Sequence, residues 1–176
     1  MKTLKNIRYG NQRQRNRGFT LLEALLGFLI LSIGMLGIAS LQALSLKAGK
    51  TSIYNSVAMM KVDELFESMR ANSTAAALTA YAIAGAGTGT DNSCTGTKNC
   101  TDAELAQDDI FWWKKNLKAG LPDTATTTVT VVAAVAPSKM ATATIEIKWQ
   151  ERSKDSEAAI AKSYSTSTTI CTENPC

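Results

Sequence analysis

The chain has 176 residues, enough for one exported domain of ordinary size beside a leader and a membrane segment. Its 19 Lys and Arg against 15 Asp and Glu give a formal charge of +4. Six of the basic residues precede residue 19, so the rest of the chain has 13 basic and 15 acidic residues and a charge of −2. The basicity is therefore a signal that keeps the leader cytoplasmic, and we expect no direct binding of nucleic acid.

An apolar run begins at Phe19, directly after a basic leader that ends in Gly18. It is long enough to span a bilayer as a helix, and no Lys or Arg occurs from Phe19 to Leu46. Its single carboxylate, Glu23, costs roughly 2.5 to 3.5 kcal/mol inside a membrane. We therefore expect a charge partner for Glu23, which is either an amino terminus produced by cleavage after Gly18 or a group on another chain.

The segment Arg17-Gly18-Phe19-Thr20-Leu21-Leu22-Glu23 resembles the class III signal of type IV prepilins and type II secretion pseudopilins. The resemblance implies that a prepilin peptidase cleaves between Gly18 and Phe19, that Phe19 is N-methylated, and that Glu23 is needed for assembly. Residues 29–37 and 67–72 are similar to minor pilins of the PilV type.

The same resemblance implies where such a protein resides and what it contacts. Its partners are other major and minor pilins and an inner-membrane assembly platform. The protein crosses the inner membrane once, with its C-terminal domain in the periplasm, and then enters the pilus at the cell surface.

Two other interpretations of the N-terminal segment are open. An ordinary secretory signal is cleaved after its hydrophobic region, and Ala43-Leu44-Ser45 offers a site with small residues there. A plain signal anchor that tolerates one glutamate near the interface is the second. Neither interpretation explains why the basic leader stops at Gly18.

The apolar helix is predicted to continue into the exported domain, to about residue 72. No proline interrupts the chain before Pro122, and Ser40 stands near the place where major pilins usually have a proline. Beyond Gly49, apolar residues recur at helical spacing among polar ones. The predicted buried face consists of Tyr54, Ala58, Val62, Leu65 and Met69.

The region 73–122 is predicted to be a variable loop that contains a second helix. Glycines within 84–93 favour a flexible connection, and Thr101 with Glu104 forms a capping-box pattern at the start of the helix. Its predicted buried face is Ala106, Ile110, Trp113 and Leu117. Phe111 and Trp112 beside this face could form a platform for a carbohydrate or a partner, although simple packing is favoured.

The four cysteines of the exported region are predicted to form two disulfides in an oxidising compartment. Three pairings are possible. We favour the local pairs, Cys94 with Cys100 and Cys171 with Cys176, because each encloses a short segment rich in turn residues.

Residues 123–176 show the alternation of β-strands. One strand has Val129, Val131, Ala133 and Val135 on one face, and the next has Ala143, Ile145, Ile147 and Trp149. Pro137-Ser138-Lys139 is predicted to be the turn between them, and a third strand is predicted to run from Tyr164 to Ile170. The predicted fold class is α+β, with a long N-terminal helix packed on a small antiparallel sheet.

These patterns predict a leader over 1–18, a membrane or filament-core helix over 19–46, and an exported domain over 47–176.

The chain has no histidine, so the usual catalytic base is missing, and no cysteine spacing typical of zinc is present. We expect no catalysis, no metal and no cofactor. Asp108 and Asp109, like Asp102 and Glu104, are interpreted as acids at a helix N-terminus.

The predicted function is that of a minor pilin in the assembly of a type IV pilus, and in motility or adhesion. A minor pseudopilin of a type II secretion system and a membrane-anchored periplasmic enzyme or binding protein are the alternatives.

Overall fold

A computed structural model describes residues 19–96, 98–152, 158–173 and 176. The predicted leader, 1–18, lies outside the described residues. Two compact units divide between Leu46 and Lys47. The helices and strands, in chain order, are α1 Leu21–Ala71, α2 Ala75–Ala86, α3 Asp102–Leu117, β1 Thr126–Val132, β2 Met140–Arg152 and β3 Ala159–Cys171.

The sheet of the second unit is antiparallel, with the strand order β1-β2-β3. Val129 of β1 lies opposite Ile145 of β2, which lies opposite Thr166 of β3. The strongest alternation is in β2, whose inward residues are all buried while the residues between them are partly or fully exposed. This inner row consists of Ala141, Ala143, Ile145, Ile147 and Trp149.

The second half of α1 packs on this sheet and supplies a large part of the core. The buried residues of α1 are Ala58, Val62, Leu65, Phe66 and Met69. Four of these five residues were predicted from helical spacing to be buried, so the predicted buried face of α1 is confirmed for them. The fifth predicted residue, Tyr54, packs against the same core but is partly exposed. A polar contact joins α1 to α3, since Trp113 Nε1 donates to Lys61 O at 2.7 Å. The predicted α+β class is confirmed.

A second polar contact joins α1 to β2. Glu151 accepts hydrogen bonds from Thr51 Oγ1 at 2.7 Å and from Trp149 Nε1 at 2.9 Å. Burial alone would raise the pKa of Glu151, but these two bonds and the charges of Lys162 and Lys47 outweigh it and lower that pKa. The carboxylate therefore remains ionised and holds α1 beside β2.

Between α1 and the sheet the structure has two helices where the sequence predicted one. Thr74 is the N-cap of α2 and accepts from Ala77 N at 3.2 Å. The glycines of 84–93 suggested a loop throughout, yet Gly85 lies within α2 and packs against Val129 of β1. α3 is the helix that the sequence predicted in this region, and it begins with the expected capping box at Thr101 and Glu104. Its predicted buried residues are all buried, namely Ala106, Ile110, Trp113 and Leu117.

The first strand is shorter than the sequence predicted. β1 ends at Val132, so Ala133 and Val135 lie in the connection to β2, and Val135 is 74% exposed. The chain leaves the sheet here because it must turn, and Ser138 N donates to Val135 O at 2.9 Å within that turn. Residues 137–139 are part of this connection, as predicted.

The packing of Gly85 gives a test of this fold by single substitution. A Cβ at position 85 would lie 2.3 Å from Val129 Cβ and 3.2 Å from its Cα, whereas a Cβ at Gly49 in α1 would meet nothing within 4 Å. We expect Gly85→Ala to lower the free energy of unfolding by about 1 to 3 kcal/mol through overpacking. Gly49→Ala, the matched helical control, should raise it by up to about 1 kcal/mol. Urea unfolding of the full chain in detergent measures both, and equal effects of the two changes would contradict the packing of α2 on β1.

Candidate functional site: the N-terminal part of the long helix

Thr20 forms the start of α1. Glu23 N donates to Thr20 O at 3.0 Å and to Thr20 Oγ1 at 3.3 Å, and Ala24 N donates to Thr20 O at 3.2 Å. Thr20 is therefore the N-cap, and Glu23 occupies the third helical position. Thr20-Leu21-Leu22-Glu23 thus has the capping-box pattern, a signal that the sequence analysis identified at Thr101 but missed here.

The Glu23 side chain is exposed in the first turn of α1. A carboxylate at this position is favoured by the helix dipole. Among the described residues, the ion pairs are Lys61 with Glu64, Arg70 with Glu67 and Lys148 with Glu146, so none involves Glu23. Within residues 19–96, 98–152, 158–173 and 176, no Lys or Arg side chain lies within ion-pair distance of Glu23.

The surface of α1 in the first unit is apolar on all sides. One stretch of α1 has a mean hydropathy of 2.3 and contains no buried residue. This helix is therefore long and apolar enough to cross a membrane. Two hydroxyls within it are satisfied by the helix itself, because Ser32 donates to Phe28 O at 2.7 Å and Ser40 donates to Gly37 O at 2.8 Å. The largest exposed apolar side chains include Phe19, Leu21, Leu22, Phe28, Ile30, Ile33, Leu36 and Leu46.

Three glycines interrupt this apolar surface. A Cβ at Gly27, Gly34 or Gly37 would meet no atom within 4 Å. These positions are therefore not required by packing within the described chain. Small residues on membrane helices allow the backbone of another helix to approach closely.

The loop between α2 and α3 carries one disulfide and is fixed to α3. The structure links Cys94 with Cys100, and Cys171 with Cys176 at the end of β3. Asn92 N donates to Asp108 Oδ1 at 2.7 Å, and Asn92 Nδ2 donates to Glu104 O at 2.8 Å. The segment that was predicted to be a flexible connection is thus held by hydrogen bonds along the length of α3.

Gly89 in this loop has a structural role. Its φ of +71° is in the left-handed region, and a Cβ there would lie 2.6 Å from Phe111 N and 2.7 Å from Gln107 O. Both constraints exclude a side chain at this position. Glycine therefore allows the loop to lie against the backbone of α3.

The two adjacent acids of α3 have structural partners. Asp108 is buried and accepts from Asn92 N, while Asp109 accepts from the hydroxyl of Tyr81 in α2. Burial raises the pKa of Asp109 despite the hydrogen bond from Tyr81, and burial together with Asp109 raises the pKa of Tyr81. Both acids lie beyond the first turn of α3, so their interpretation as N-terminal acids was wrong, whereas Asp102 and Glu104 do lie in that turn.

The aromatic pair on α3 is partly exposed. Trp112 is 40% exposed and contacts the Phe111 ring edge-on, with the ring centroids 5.4 Å apart. Lys115 Nζ lies 4.4 Å from the centre of the Trp112 ring. The lysine therefore occupies one face of the indole.

Within the described ranges, no group of His, Cys, Asp and Glu side chains could hold a metal ion.

Comparison with known proteins gives two family matches. Residues 40–111 match the family model of the type IV pilin Tt1218, and residues 13–39 match the prokaryotic N-terminal methylation motif. No curated protein and no solved structure matches the chain. The methylation motif covers Thr20, Glu23 and the apolar start of α1, and with that helix it fits anchoring in the inner membrane. Over residues 40–111 the chain is thus similar to a type IV pilin, and over 13–39 it matches the N-terminal methylation motif; with the α+β fold and the capped apolar helix, these matches support a pilin role.

Proposed function

We propose that this protein is a minor pilin of a type IV pilus, of the PilV type, and that its role in assembly is structural. The observation that carries the proposal is the N-terminal segment, where a capped helix presents Glu23 and an apolar surface with no partner in the described chain. Such a surface is stable only in lipid or against other apolar helices. The match of residues 13–39 to the methylation motif supports the same role.

In this proposal a prepilin peptidase cleaves between Gly18 and Phe19, and Phe19 is then N-methylated. Cleavage places an amino group four residues before Glu23. In the low dielectric of a membrane or filament core, the carboxylate would pair with this group on its own chain or on a neighbouring pilin. The two disulfides would form in the periplasm, where the exported domain folds before its helix leaves the membrane for the pilus.

The first expected outcome concerns processing. The mature chain should begin at N-methylated Phe19, because Gly18 has no side chain to obstruct the peptidase and Thr20 already starts the helix. Intact mass and amino-terminal sequencing of protein extracted from membranes measure this directly. A mature start at Leu46, after Ala43-Leu44-Ser45, would instead show that the segment is an ordinary secretory signal.

The second outcome concerns the carboxylate. Glu23→Gln keeps the shape and helical position of the side chain but removes its charge, so membrane insertion and cleavage should continue. Recovery of the variant in sheared pili should fall at least about tenfold, which corresponds to a loss of about 1.4 kcal/mol. Glu67→Gln removes a carboxylate from the exported part of the same helix and is the matched control. Equal recovery of both variants and the parent would exclude a role of the Glu23 charge in assembly.

The third outcome separates the functional classes. A strain that lacks this protein should have fewer surface pili and reduced twitching or adhesion, because assembly would lose a subunit that starts or enters the filament. Counting pili by electron microscopy, with the parent gene restored as a control, measures the effect. Normal pili together with exoproteins retained in the periplasm would indicate a pseudopilin. If neither pili nor secretion changed, the class of membrane-anchored proteins would be favoured.

A further inference from the structure

One end of the exported domain brings together lysine side chains from separate elements. Thr51 of α1 donates to Glu151 of β2 at 2.7 Å, and Trp149 of the same strand lies opposite Lys162 of β3. The charges of Lys47 and Lys162 both act on Glu151. The residues of α1 from Lys47 onward, the end of β2 and the start of β3 therefore meet at this end of the domain.

We call this region the basic end and define it by Lys47, Lys50 and Lys162. Lys50 and Lys162 are exposed, and Lys47 is partly exposed. Lys50 Nζ lies 5.5 Å from the centre of the Tyr54 ring, one helical turn further along α1. Among the described residues, the ion pairs include none of these three lysines. Glu151 offsets one of the three positive charges, so the basic end retains a net positive charge.

Neighbouring segments do not cancel this charge. The connection from α3 to β1 reaches the same end, because Gln150 N donates to Thr124 Oγ1 at 3.1 Å. That connection contributes Lys118 and Asp123, one charge of each sign. By sequence, residues 152–157 add two basic and two acidic residues, and so no net charge. The whole set thus has six basic and four acidic residues, a net charge of +2.

The remainder of 47–176 has the opposite charge. It contains seven basic and ten acidic residues, a net charge of −3. Asp63, Glu64 and Glu67 lie further along α1, and Asn72 at the far end of that helix donates to Asp102 O at 2.8 Å. A negatively charged surface therefore attracts the basic end and repels the rest of the domain, which orients the domain with its basic end toward that surface.

The order of residues in the chain indicates which charged surface lies nearby. The apolar run ends at Leu46, and Lys47 is the next residue. The basic end is therefore the part of the exported domain that is joined directly to the membrane helix. Lipid phosphates are the anions at a membrane surface, and lysines close to an anionic leaflet are attracted to them. Ile160, opposite Glu151 and 43% exposed, adds an apolar side chain of the kind that enters the headgroup region.

We propose that the basic end of the exported domain binds the phosphate groups of anionic lipids at the surface of the membrane in which the chain is anchored. The contact orients the domain over the membrane and is separate from insertion of the apolar helix. This inference goes beyond the proposed function, because it requires the anchor but no pilus.

Lysine acylation, measured residue by residue with mass spectrometry, tests the proposal on the purified full chain in lipid nanodiscs. One set of discs consists of phosphatidylcholine and the other of phosphatidylglycerol. Labelling of Lys50 and Lys162 should be at least about threefold slower in the phosphatidylglycerol discs. Lys98 is exposed in the disulfide loop that precedes Asp102, at the other end of the domain, and should be labelled equally in both discs.

Salt and free phosphate identify the nature of the contact. Added sodium chloride should restore labelling in the phosphatidylglycerol discs, because salt screens the attraction between exposed charges. Sodium phosphate added to the phosphatidylcholine discs should leave the labelling of Lys50 and Lys162 unchanged. Protection of these lysines by free phosphate would show that the basic end binds a soluble anion, and would overturn lipid binding.

Two single variants test whether the lysines act together. Lys162→Gln removes a charge from β3, so labelling of Lys50 in phosphatidylglycerol discs should rise at least about twofold. Lys98→Gln removes a charge from the other end of the domain and is the matched control, which should leave Lys50 unchanged. The unfolding temperature in phosphatidylcholine discs checks that both variants fold, and the comparison of the two lipids with the parent chain needs neither variant.

The outcomes decide the proposal without reference to pili. Equal labelling of Lys162 in both kinds of disc would show that it is wrong. If Lys50 stays protected in Lys162→Gln, its protection reflects only its position beside the anchor, and the proposal is again wrong. Slow labelling of both lysines in either lipid would show that a second copy covers the basic end, which also overturns it. The pilin role is tested separately, by recovery of the chain in pili.

Discussion

Burial of one face of α1 against the inner row of β2 is the interaction on which the exported domain depends. Val62, Leu65 and Met69 are buried together with Ile145, Ile147 and Trp149 in one cluster. Burial of a side chain of this size contributes about 1.5 to 3 kcal/mol. The ends of this contact are fixed by polar bonds, from Thr51 to Glu151 and from Arg70 to Thr168. The direction of β3 relative to the second half of α1 follows from this packing.

The segment between α1 and the sheet is held by polar contacts as well as by its core. Lys114 Nζ donates to Gly85 O at 2.8 Å and to Gly87 O at the end of α2. Burial lowers the pKa of Lys114, and the two carbonyls at this helix C-terminus are suitable acceptors for its N–H groups. Tyr81 and Asp109 form a second link between α2 and α3. A sequence rich in alanine and glycine is thus ordered by a few side chains of α3.

The two parts of α1 face different requirements. Beyond Lys47 the helix buries a stripe in its own domain, whereas from Leu21 to Leu46 its apolar side chains are exposed. Apolar surface of this extent needs lipid or other helices, and Glu23 needs a positive charge in the same environment. The proposed pilin role would satisfy both requirements, because cleavage after Gly18 would create the amino group and assembly would supply the neighbouring helices.

The sequence by itself determined the features that depend on local spacing. The buried face of α1, the capping box and buried face of α3, and the alternation in β2 all follow from short-range periodicity and capping chemistry. The class III signal is likewise a local pattern, and its motif matches over residues 13–39. The capping of α1 by Thr20 was available from the same pattern and was missed.

Tertiary structure decided the features in which distant residues meet. Gly85 lies at a position of α2 where a side chain would clash with Val129, and Gly89 allows the loop to lie against the backbone of Phe111. Asp108 and Asp109 are hydrogen-bond acceptors for Asn92 and Tyr81 because the loop and α2 fold back on α3. The place of β3 at one end of the strand order and its register with β2 are likewise tertiary features. Local periodicity carries no information about either, because both are fixed only when separate segments pair.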